Sequence, residues 1–105
     1  MDIKEIVSRL EEGLNKQGLT YTIPTDNEHP ESTTLQLEGD SKSSCFLSLI
    51  VCAGKTTVRR VIGKSVINQT YEIEEINEAF FDLLKDHRDT IKDLIKMYKK
   101  FITEE

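Results

Sequence analysis

No apolar run in this chain approaches the ~20 residues that a membrane-spanning helix needs. The opening stretch, residues 1–14, spreads acids among its apolar positions and lacks the hydrophobic block of a signal peptide. Together these absences predict a soluble, cytoplasmic protein with no membrane partner. Cysteine is scarce as well: Cys45 and Cys52 are the only two, and both fall in one apolar run. On a strand they would point to opposite faces, so they cannot bridge within it. Both are expected to be reduced packing residues. With no CxxC spacing and no grouping of His with Cys, neither a metal site nor a cofactor is expected.

Catalytic parts are equally sparse. The two histidines, His29 and His87, lie in a loop and on a helical stripe. Neither has a Ser, Asp or Cys partner at a diagnostic spacing, so the chain is not expected to be an enzyme. Basic residues are outnumbered, 14 against 19, for a formal net charge of −5. That balance argues against wrapping DNA or docking on an anionic membrane, although a local basic patch could override it. At 105 residues the chain has room for one core. It is read as a single domain, residues 1–105.

What is present is a strong alternation of patterns. Ile3, Ile6, Val7, Leu10 and Leu14 recur at helical spacing, with Asp2 and Glu5 as a capping-box variant and Gly18 as a C-terminal stop. Residues 20–23 can form a short strand, and the polar stretch from Pro24 to Ser32 holds both prolines. Residues 33–38 alternate with Leu35 and Leu37 inward, and 39–43 supply a loop. Two Gly-Lys pairs, at 54–55 and 63–64, then divide the β-rich runs 45–52, 56–62 and 65–73. A Gly-X pair suits a two-residue II′ hairpin turn. The first turn sets Val51 opposite Val58, Leu49 opposite Arg60 and Ile50 opposite Arg59. The second sets Arg60 opposite Ile67, Val61 opposite Val66 and Thr56 opposite Tyr71. The two turns agree on which face is apolar, which supports an antiparallel meander.

From Ile73 onward there is neither Gly nor Pro. Ile73, Ile76, Phe80, Leu83, His87, Ile91, Leu94, Tyr98 and Phe101 keep a helical rhythm. One long helix or two collinear ones fit, with a break near Asp86–Asp89 favoured on length. The predicted fold is α+β: an N-terminal helix, a four-stranded antiparallel β-meander and a C-terminal helical segment.

Several motifs are less than they look. Residues 52–57 (CAGKTT) resemble a phosphate-binding loop, but the leading glycine of that pattern would fall on Leu49, and a β-run follows instead of a helix. Glu72, Glu74, Glu75 and Glu78 suit the positive end of a helix without any catalytic role. Asn68-Gln-Thr70 is a formal glycosylation acceptor that carries no weight without a secretory signal.

The charge distribution says more. Residues 54–64 hold Lys55, Arg59, Arg60 and Lys64 and no acid, while both flanks are acidic. Arg60 shares a face with Val58 and Ile62, so it needs a carboxylate, or a β-bulge at this pair to release it. The run 45–52 is apolar on both sides. A one-sided sheet would expose polar residues there. Phe46, Ile50, Val61 and Val66 with Arg59 therefore form a candidate partner-binding surface on the second face. The leading reading is a small acidic interaction module that binds a protein partner or a second copy of itself. The alternative is nucleic-acid binding through the basic hairpin 54–64. A third is a ligand pocket or enzyme centred on Arg60, Tyr71 and His87.

Overall fold

The structure, a computed structural model, describes residues 3–24 and 31–103. Helix α1 (Ile3–Lys16) buries Ile6, Leu10 and Leu14. Its proposed cap at Asp2 lies outside the described residues. Its end follows the expected chemistry: Gly18 adopts φ +71°, its N–H bonds Asn15 O, and the Leu19 N–H reaches back to Leu14 O. This is the paired hydrogen-bond pattern of a left-handed glycine stop, with Leu14 and Leu19 both buried beside it.

Four strands follow: β1 (Ser32–Asp40), β2 (Cys45–Cys52), β3 (Lys55–Ile62) and β4 (Ser65–Tyr71). They lie in sequence order as one antiparallel sheet. A 3-10 turn (Ile73–Glu75) leads into helix α2 (Glu78–Thr103). The architecture is therefore α+β, with helix, four-stranded meander and C-terminal helix in that order.

The second hairpin matches its expected register, Ile62 opposite Ser65 and Arg60 opposite Ile67, with Gly63 at φ +62°. The first differs. Its turn is Ala53-Gly54, with φ +54° and +75°, so it is a type I′ turn and not a II′ turn at Gly54-Lys55. Every pair moves by two residues: Leu49 faces Val58, Leu47 faces Arg60 and Ile50 faces Thr57. A shift of two keeps each side chain on its face, so the hydrophobic pattern is the same in both registers. Types I′ and II′ both match the strand twist and leave the same faces apolar, so local pattern does not choose between the two registers.

The start of the sheet also departs from expectation. Strand β1 continues through Gly39 to Asp40 instead of looping at 39–43, and the bulge lies at Leu37, not at Arg59-Arg60. Leu35 and Leu37 are both buried, as expected. The short strand at 20–23 reduces to one bridge, Thr22 with Gln36.

Helix α2 runs unbroken for 26 residues, so the break near His87 does not occur. With no Gly or Pro, nothing in the sequence stops it, and it outruns the sheet. At ~1.5 Å per residue it reaches ~39 Å, against ~26 Å for an eight-residue strand. Its buried residues are Phe80, Phe81, Leu84, Ile91 and Ile95, with Ile76 just before it. Leu83, Tyr98 and Phe101 from the expected stripe are exposed. That stripe repeats nearly every 3.5 residues, and a straight helix drifts about 20° per heptad away from such a pattern. Past Ile95 no described side chain of the helix is buried.

Candidate functional site

Both helices lie on one side of the sheet. The core joins Ile6, Leu10 and Leu14 of α1 and the buried face of α2 to Leu35, Leu37, Cys45, Leu47, Leu49, Val51 and Val58. None of its sheet residues comes from the other face. Phe81 lies over Gly13, where a side chain on the glycine would strike the ring, so the two helices meet there closely. Tyr71 sets its ring edge-on to Phe80, centroids 5.1 Å apart, and anchors the end of β4.

The second face has no described element across it. Its residues fall into rows that the pairing defines. Gly39, Phe46, Val61 and Val66 form an end row. Gln36, Ser48, Arg59 and Asn68 form the middle row, and Thr34, Ile50, Thr57 and Thr70 the next. Phe46, Ile50 and Val61 are half-buried, while Arg59 and Val66 are exposed. Phe46 covers Gly39: a β-carbon there would come within 2.9 Å of the ring. Thr57 and Thr70 join their hydroxyls at 3.1 Å. The actual register thus draws Phe46, Val61 and Val66 into one apolar row. It sets Arg59 beside Ser48 and not Ile50.

The four basic residues of the hairpin do not form one patch. Lys55 pairs with Glu72 at 3.5 Å. Arg59 stands on the open face and Lys64 in the second turn, whereas Arg60 is on the helix side. There, among the described residues, it has no carboxylate within ion-pair distance, against the expectation of a buried ion pair. Its Nη1 lies 3.5 Å from His87 Nδ1, and its Nε has no partner among the described residues. Arginine can only donate, so Nδ1 accepts and a neutral ring carries its proton on Nε2. Burial lowers the His87 pKa from its usual value, Arg60 lowers it further, and Asp86 opposes both.

Arg60 and His87 therefore meet, while Tyr71 is engaged with Phe80. His29 lies outside the described residues. A groove of about 490 Å³ opens elsewhere, between α1 and the start of α2, floored by Phe81 and rimmed by Arg9, Glu12, Lys16 and Glu78.

The remaining candidates have structural explanations. Glu72 and Glu75 cap the 3-10 turn reciprocally, the Glu72 N–H donating to Glu75 Oε1 at 3.0 Å. The glycine of the apparent phosphate loop serves the first hairpin turn. Cys45 is buried and Cys52 is exposed, both as free thiols, so Cys52 is not the packing residue expected of it. It ends β2 on the open face, past the reach of the core. Among the described residues no three His, Cys, Asp or Glu side chains come together as metal ligands. No described helix is long and apolar enough to cross a membrane. No protein-family model matches the chain, and neither a curated protein nor a solved structure resembles it significantly.

Proposed function

We propose that this chain is a non-enzymatic interaction module. Its open sheet face binds another protein that presents aliphatic side chains flanked by carboxylates. The observation that carries this reading is the composition of that face. Phe46, Ile50, Val61 and Val66 stand on it with Arg59, and residues 45–71 include no acid at all. An aromatic, aliphatics and an arginine provide apolar area and a directional contact, and the single sign of charge selects an acidic surface.

A second copy stacked face to face fits less well. Each copy would bring Arg59 and, over residues 45–71, no carboxylate to meet it. Nucleic acid also has less behind it, because Arg60 points away from the face and Lys55 is paired with Glu72. Few phosphates could be engaged at once.

Selection from a displayed library of random peptides provides the test. The expected winners combine aliphatic and acidic residues. Their binding should fall at least tenfold with Phe46→Asp and with Arg59→Glu, while circular dichroism of both variants stays native. Winners that bind both variants normally would remove the open face as the site. Binding of mixed oligonucleotides at ~50 mM salt, weakening steeply as salt rises, would replace the reading with nucleic-acid recognition.

A further inference from the structure

The two edges of the sheet are built differently. Strand β1 is blunted: it carries a bulge at Leu37 and the acids Glu38 and Asp40. Its outer side is also bridged by Thr22, which exchanges two hydrogen bonds with Gln36 at 2.9 and 2.8 Å. These are the usual devices that stop an edge from recruiting another strand. Strand β4, Ser65–Tyr71 (SVINQTY), has none of them. It holds no charge, proline or glycine, its ladder with β3 has no irregularity, and no residue before Tyr71 is even half-buried. Val66 and Ile67 are 47% and 44% exposed, with Ile62 and Leu83 also open on the helix side.

The register says which backbone groups are free. Ile62 and Ser65 flank a two-residue turn, so they form a hydrogen-bonded pair, and the pairs Arg60–Ile67, Val58–Gln69 and Thr56–Tyr71 follow at every second residue. Ser65, Ile67, Gln69 and Tyr71 therefore turn their amides and carbonyls toward β3. Val66, Asn68 and Thr70 turn theirs outward.

We propose that β4 pairs with β4 of a second copy, antiparallel about a two-fold axis at Asn68, giving one eight-stranded sheet. With Asn68 opposite Asn68 and Val66 opposite Thr70, every outward amide and carbonyl finds a partner. A slip of two residues leaves one residue unpaired on each chain, and a slip of one presents groups already bonded to β3. The uncharged edge brings no like charges together, which β1 with its two acids would do. The Asn68 side chains meet on the open face, and Ile67 approaches its symmetry mate diagonally on the helix side. The two open faces become continuous. This pairing is independent of what binds those faces, so either reading can fail alone.

One short strand pair buries little surface, so the dimer is weak, with Kd on the order of 10–100 µM. Sedimentation equilibrium of the full chain from ~5 µM to ~1 mM should show monomer passing to dimer across that range. Asn68→Pro removes only an outward N–H and suits an edge position. It should leave a native circular dichroism spectrum and a monomer throughout, and Asn68→Lys should do the same by charge repulsion. In a Cys52→Ser background, Asn68→Cys should oxidise to a cross-linked dimer. Val66→Cys should not, because those positions lie roughly 13 Å apart across the axis. A native chain monomeric at ~1 mM, a dimer indifferent to both Asn68 substitutions, or equal cross-linking at 66 and 68 would overturn the proposal. So would a dimer lost only with Phe46→Asp.

Discussion

Strands β2 and β4 belong to the same sheet, separated by one strand, yet their surroundings are opposite. In β2, Cys45, Leu47, Leu49 and Val51 are sealed beneath the helices and the intervening residues are half-buried. In β4 no residue is buried at all. The helices lie chiefly over β1 and β2, and α2 meets the end of β4 through Phe80 and Tyr71. Burial in this fold is set by where the helices fall across the sheet. Stability is therefore concentrated at one side of the meander, and the surface available for association lies at the other.

The largest test of that contrast is a pair of truncations. Leu47 is fully buried on β2, so Leu47→Ala should cost about 2–5 kcal/mol in urea unfolding. Ile67→Ala, at an exposed position on β4, should cost less than about 1 kcal/mol in the monomer. Equal losses would mean that β4 is covered in solution.

A smaller effect is expected one strand inward, on β3. The Thr56 side chain is fully buried, and its hydroxyl has no hydrogen-bond partner among the described residues. Thr56→Val keeps the shape and removes the unsatisfied group, so it should stabilise the chain by about 1 kcal/mol. Destabilisation would show that the hydroxyl is satisfied in solution and that the cover over β3 is looser than the structure has it.

The subtlest effect is in pH, at the seam between β3 and α2. Burial, and then Arg60, lower the His87 pKa in the fold, while the unfolded chain titrates near its ordinary value of 6.5. Below that value the unfolded state binds more protons, so stability is whole above pH 6.5 and declines as pH falls toward the folded pKa. Unfolding midpoints should drop between pH 7 and 5, and His87→Gln should flatten that slope. An unchanged slope would remove His87 as its source.

Much of this could be read from local pattern. The alternation at Leu35 and Leu37, the Gly63-Lys64 turn and the helical spacing from Ile6 to Leu14 each name an element, and their order makes the meander. The open-face residues were legible because Phe46 and Ile50 alternate with a second apolar set along 45–52. The row joining Phe46 to Val61 and Val66 was not, since it depends on a two-residue slip that leaves every side chain on its own face. Nor was the fate of Arg60, whose partner on α2 is a histidine in place of the anticipated carboxylate.

Sequence alone determined the order of the main elements and the face that each residue of β2, β3 and β4 takes, because periodicity and turn chemistry act over a few neighbouring residues. Tertiary structure decided the rest: the register of the first hairpin, the phase of α2 against the sheet, and the placement of both helices on the same side. The last two depend on how long a straight helix stays over a twisted sheet and on which strands it can reach. No short stretch of the chain encodes that packing, which leaves β4 beyond the helices and Phe46 on the face they do not cover.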